Sequence, residues 1–195
     1  MKTTKKLLAI VLAITVIFSS FALVASAASP VSSVNCQNKS NKYGGTSSFF
    51  YVKANSTTCK IKFTCGNGKL NWSGEDLMGP ASVRGAYQVK IYKWDTKTGK
   101  TVGSCVFDKD IYNKSSYTAS FKATKGAYYR VQVYFWNATT TAKSYWNKNI
   151  IYNTHIFLLS TSGVKVATYG PVYWSQYPTI KATNNSGCTL YASKP

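Results

Sequence analysis

The chain has 195 residues, with 24 Lys plus Arg against 5 Asp plus Glu and a single His. Most metal centres and acid–base chemistries need more carboxylates or imidazoles than that, so they lack their parts. Aromatic residues make up 15% of the chain, which argues against intrinsic disorder.

The first segment reads as a leader. Lys2, Lys5 and Lys6 form a charged n-region, and Leu7 to Val24 is a nearly unbroken apolar run. Ala25-Ser26-Ala27 then supplies small residues at the −3 and −1 positions of a cleavage site. Residues 1–27 are expected to be a secretory signal peptide of bacterial style, removed after Ala27. Residues 28–195 then form a mature chain with 21 basic and 5 acidic residues, a net +16. That length fits a single domain. No second run approaches a membrane span, so the mature chain reads as soluble. Its expected location is extracellular, free or held non-covalently at the cell surface.

Short alternating segments separated by turns follow. In chain order the expected strands are Ser48–Lys53, Thr58–Thr64, Ala86–Trp94, Thr101–Phe107, Ser116–Lys122 and Ala127–Trp136. His155–Leu159, Val164–Thr168 and Cys188–Tyr191 complete the set. Asp95 to Lys100 and Thr124-Lys125-Gly126 read as hairpin connections with glycine available for positive φ. If the strands alternate in direction, both turns share one end and gather Lys97, Lys100, Lys122 and Lys125. Residues 137–154 read as a long polar loop. Residues 168–178 read as a second loop, carrying Tyr169, Tyr173, Trp174 and Tyr177. The pattern predicts an all-β, antiparallel sandwich with jelly-roll-like character.

Cys36, Cys59, Cys65, Cys105 and Cys188 all follow the cleavage site, and export permits disulfides. Five is odd, so at least one thiol stays free or pairs between chains. On an extended strand Cys59 and Cys65 lie roughly 20 Å apart, beyond bridging distance. Terminal strands of sandwiches are often neighbours, which makes Cys36–Cys188 the first expected bridge. Cys105 would then take Cys65 or Cys59.

The segment Gln88-Val-Lys-Ile-Tyr-Lys-Trp-Asp-Thr-Lys-Thr-Gly-Lys100 resembles a strand, polar turn and glycine of secreted bacterial pre-peptidase C-terminal-like domains. Gly126-Ala-Tyr-Tyr-Arg-Val-Gln-Val133 resembles their late strand of glycine, tyrosine and alternating valines. The resemblance spans about residues 45–136 and implies a non-catalytic β-sandwich accessory module. The chain departs from that pattern in carrying lysine where those domains carry acids, and in its five cysteines.

Two strands carry the expected site. Tyr87, Val89 and Ile91 make one face of Ala86–Trp94, and Tyr129, Val131, Val133 and Phe135 one face of Ala127–Trp136. The opposite faces place Lys90, Tyr92 and Trp94 beside Arg130, Gln132, Tyr134 and Trp136. Aromatic planes stack on rings, while amides and cations bond around them, so these seven residues form a candidate ligand platform. The alternative is packing under the rest of the chain. As an exposed platform, Trp94 or Trp136 could be truncated without loss of stability.

Other chemistry is thinly supported. Glu75 with Asp76, or Asp108 with Asp110, could serve a glycosidase, but turn or salt-bridge roles fit each pair better. A cysteine nucleophile would need His155, which opens an apolar run and reads as structural. No zinc or calcium spacing occurs, and no cofactor is expected.

The charge favours an anionic partner: a cell-surface polymer or glycan rather than a specific nucleic acid, with peripheral membrane contact allowed. The expected role is non-catalytic binding. A cationic bacteriocin-like or toxin-like effector is the alternative, and a small secreted hydrolase the third.

Overall fold

A computed structural model describes residues 28–36, 46–72, 81–136, 150–152, 155–159, 165–169 and 172–195. The expected signal peptide, Glu75 and Asp76 lie outside the described residues. The described residues form strands and turns, with no helix. The strands are β1 (Pro30–Val31), β2 (Ser33–Asn35), β3 (Thr46–Ala54), β4 (Thr58–Cys65), β5 (Asn67–Trp72), β6 (Ala81–Arg84), β7 (Ala86–Asp95) and β8 (Lys100–Tyr112). They continue with β9 (Ser116–Lys122), β10 (Tyr128–Phe135), β11 (Ile150–Tyr152), β12 (His155–Leu159), β13 (Lys165–Tyr169), β14 (Val172–Gln176), β15 (Ile180–Ser186) and β16 (Cys188–Tyr191).

All pairing is antiparallel. A six-stranded sheet runs β1-β16-β3-β10-β7-β8, and a four-stranded sheet runs β2-β15-β4-β9. Two three-stranded sheets, β14-β5-β6 and β11-β12-β13, complete the described residues.

The alternation in the sequence explains the layers. On β10 every second residue is buried: Tyr129, Val131, Val133 and Phe135. On β4 the same rule buries Cys59, Ile61, Phe63 and Cys65. These inner faces meet, with Phe50 of β3 at 6.4 Å between ring centroids from Phe63 of β4. Phe121 of β9 lies edge-on to Tyr129 of β10 at 5.2 Å. Burying each such side chain contributes about 1.5–3 kcal/mol, so this sandwich-like interior dominates the stability. Leu70, Val83 and Trp174 of the β14-β5-β6 sheet join the same core. Trp174 stands edge-on to Phe135 at 6.3 Å.

The connections differ partly from expectation. β7 and β8 form the expected hairpin, with Gly99 at φ +64°. β9 and β10 do not pair, because they belong to opposite sheets. Residues 123–127 arch from one sheet to the other and bond to the parallel arch after β3. Gly126 N–H donates to Ala54 O at 2.8 Å, and Ala54 N–H donates to Ala127 O at 2.9 Å. The expected aromatic loop at 168–178 contains β14, which pairs with β5 and buries Trp174. In the expected loop at 137–154, residues 150–152 form β11, and residues 137–149 lie outside the described residues.

The structure holds no disulfide, and all five cysteines are thiols. The Cys36–Cys188 pairing is corrected by the register. Cys36 N–H bonds to Ile180 O, and Ile180 pairs with Cys65 at the far end of β4. Ser186, next to the bend that precedes Cys188, pairs with Lys60 at the near end of β4. Cys105 lies on β8 beside Tyr92, at the edge of the six-stranded sheet. Its thiol donates to Phe107 O at 2.8 Å. It is remote from Cys59 and Cys65, which face inward from the other sheet.

Candidate functional site

The face of the six-stranded sheet turned away from the core carries all the platform residues on β7 and β10. Register places Trp94 beside Tyr128, Tyr92 beside Arg130, Lys90 beside Gln132, and Gln88 beside Tyr134. Trp94 therefore meets both Tyr128 and Arg130. Trp136 follows β10 directly and meets Tyr134 edge-on at 5.3 Å.

β3 extends each row by one residue. Lys53 pairs with Tyr128, Tyr51 with Arg130, and Phe49 with Gln132. The period-2 pattern of Phe49, Tyr51 and Lys53 was readable in the sequence. Their neighbourhood was not, because β3 and β10 are joined only by a distant pairing. On the far side of β3, Tyr191 of β16 pairs with Tyr51.

Aromatic planes and cations alternate across this face. The Arg130 guanidinium lies 4.9 Å from the Phe49 ring centre and 5.6 Å from that of Trp94. Lys194 Nζ sits 5.7 Å from the Trp94 ring, and Lys53 Nζ 5.6 Å from that of Tyr128. Arg130 Nε is buried without a hydrogen-bond partner. β3, β10 and β16 contain no acidic residue.

Carboxylates gather instead at the β8 border. Lys90 Nζ lies 3.4 Å from Asp108 Oδ2, and Gln88 Nε2 donates to Asp108 Oδ1 at 3.0 Å. The Asp108 charge holds the Lys90 ammonium above its usual pKa. Lys90 is thus internally compensated, and Gln132 already donates to Ser47 Oγ at 2.9 Å. The cationic centre of the face is Arg130 with Lys53 and Lys194.

The reading of Trp94 as an exposed indole is corrected. It is 6% exposed, because Tyr51 packs edge-on at 5.1 Å and forms a second, small cluster with it and Tyr191. Trp136 is half-buried, with its indole N–H enclosed and unpaired. Phe49, at 45% exposure, is the open aromatic ring beside Arg130.

At the turn end of the sheet lies an open cleft of about 360 Å³. Lys93, Trp94, Lys97, Val102 and Tyr128 line it, with Ala127 closing one side. The two turns thus share one end, as expected from alternation. Asp95 also lines the cleft and brings a negative charge to it. Its carboxylate accepts from Lys97 N–H and from the Thr98 hydroxyl, both at 2.8 Å, which fixes the turn.

Among the described residues no three His, Cys, Asp or Glu side chains converge as a metal site. Asp108 and Asp110 share the outer face opposite Lys90 and Gln88, and Asp108 takes the salt-bridge role expected of lysine-rich surroundings. No protein-family model matches this chain, and no curated protein matches it.

Proposed function

We propose that this is an exported, non-catalytic binding protein whose ligand is an anionic polymer or glycan at the cell surface. The observation that carries the reading is the acid-free face of β3, β10 and β16, where Arg130, Lys53 and Lys194 each lie over an aromatic ring. Such a surface offers cations to anionic groups and ring planes to sugars. A net +16 on the mature chain adds a long-range field of the same sign. The cleft of Lys93, Lys97 and Tyr128 continues the face and takes one charged repeat of the polymer. The chain's repeated crossing between the two larger sheets supports a jelly-roll-like assembly. Five cysteines in an exported chain support at least one disulfide. The resemblance to pre-peptidase C-terminal-like domains agrees with an accessory, non-enzymatic role.

The test is retention of mature protein on teichoic-acid-type polymers, acidic glycans and anionic vesicles at low and high salt. Retention on a polyanion falls steeply as salt rises, since the Debye length is already about 8 Å at physiological ionic strength. Arg130→Gln and Lys53→Gln weaken it further. Retention indifferent to salt and to both substitutions overturns the reading.

A further inference from the structure

Two of the five thiols meet at one corner of the sandwich. Cys59 enters the core near the start of β4, and Cys188 enters it at the start of β16. The bend after β3 lies against the bend at Gly187. Asn55 and Ser56 N–H groups both donate to Gly187 O, at 2.8 and 3.2 Å. The Cys59 thiol donates to the same carbonyl at 3.1 Å, one residue from Cys188. The Cys188 thiol in turn reaches Lys60 O at 3.9 Å, one residue from Cys59. Each sulfur therefore touches the peptide adjoining the other.

We infer that Cys59 and Cys188 form the intrachain disulfide of this protein, tying the six-stranded sheet to the four-stranded sheet. The other pairings fail on geometry. Cys36 and Cys65 flank Ile180 in one row across three strands, two strand spacings or about 9.5 Å apart, beyond the roughly 7 Å limit. Cys36 and Cys188 lie at opposite ends of β4, about 17 Å apart along the strand. Cys105 stands at the edge of the six-stranded sheet beside Tyr92 and stays unpaired, as do Cys36 and Cys65.

The bond forms by two exchanges with a disulfide oxidant, either a small-molecule disulfide or an oxidoreductase. The thiolate of one cysteine attacks the oxidant and expels a thiolate, and the second cysteine then displaces the remaining half. Two protein thiols are oxidised, one oxidant disulfide is reduced to two thiols, and the protons go to those leaving groups. Burial raises the Cys59 thiol and, with Cys59 beside it, pushes Cys188 up to about 12. Neither is a nucleophile once packed, so exchange occurs as the two bends dock during folding. The inference rests on the exported reading only for the supply of oxidant.

The experiment refolds reduced mature protein from denaturant with oxidised glutathione, blocks free thiols by alkylation, and maps unreduced peptides by mass spectrometry. The expected product joins the Cys59 and Cys188 peptides, carries alkyl groups on Cys36, Cys65 and Cys105, and melts higher than the reduced protein. Cys105→Ser keeps the linked pair, and Cys59→Ser or Cys188→Ser loses it. Five alkylated cysteines in the refolded wild-type protein, or a different linked pair, overturns the inference. A pair that forms in vitro, in a protein that stays reduced inside producing cells and never reaches the medium, refutes the exported reading and leaves the pairing intact.

Discussion

Trp94 and Phe49 lie on the same sheet face yet answer to different demands. Trp94 packs against Tyr51 beneath Arg130 and Lys194, so its ring is structural before it meets any ligand. Trp94→Ala is expected to cost about 3 kcal/mol, in line with truncation of buried aromatic residues. The shift in urea midpoint measures it, and an unchanged midpoint would return Trp94 to the exposed class. Phe49→Ala removes an open ring under Arg130. Stability should stay within about 0.5 kcal/mol. Polymer binding should weaken by about 1–3 kcal/mol, by analogy with stacking on aromatic platforms. Asp95 supplies a pH test. Hydrogen bonds from Thr98 and from Lys97 N–H hold its carboxyl below the usual range. That stabilisation is complete above the unfolded carboxylate range and is lost as pH falls through the lower folded value. Asp95→Ala should therefore flatten part of the acid side of the stability curve, read from denaturant midpoints at successive pH values.

At the scale of elements, local alternation carried most of the information. β4, β7, β9, β10 and β16 lie where the period-2 pattern put them, within a residue or two, since each has one face in the core. β14 was hidden by Gly170-Pro171 before it and Pro178 after it, which read as loop. The short β1 and β2 carry too few residues for a period. The Thr124-Lys125-Gly126 turn looks the same in sequence whether it joins partners in one sheet or arches between two. Its true role rests on bonds to Ala54, far away in the chain. The same separation hid half the candidate site: β7 and β10 showed their outer residues, but the contribution of Phe49, Tyr51 and Lys53 required the β3–β10 pairing. Gly187 tests the corresponding arch between β15 and β16. It sits at φ +73°, and an added Cβ would strike the Thr58 carbonyl and the Ser56 hydroxyl. Gly187→Ala is expected to destabilise by more than about 1 kcal/mol, measured by chemical denaturation.

For the whole molecule, composition foretold a basic exterior but not how unevenly it is arranged. The described acids lie on β8 or at the end of β7, leaving β3, β10 and β16 free of negative charge. The Lys90–Asp108 pair is exposed and screened by solvent. The β8 border therefore adds little to stability compared with the aromatic interior. Its effect is to give the sheet a polarity from β8 to β3. Reversing Arg130 to Glu should abolish retention on a polyanion at low salt. Asp108→Asn should strengthen retention there by removing a repelling charge and releasing Lys90. A column elution series read against ionic strength distinguishes the two.

β8 is also the outermost of its six strands, thirteen residues long, and it bears two open valines, Val102 and Val106. A flat strand of that length would template another chain and seed edge-to-edge aggregation. Its pairing with β7 slips twice, leaving Val106 and then Gly103 and Ser104 unmatched, with Gly103 at φ +72°. These bulges bend the border out of plane, while Lys100, Lys109, Asp108 and Asp110 surround it with charge. Under the proposed function, copies accumulate against a polymer at high local concentration. There the irregularity of β8 acts as a guard that keeps neighbouring copies from zippering into fibrils.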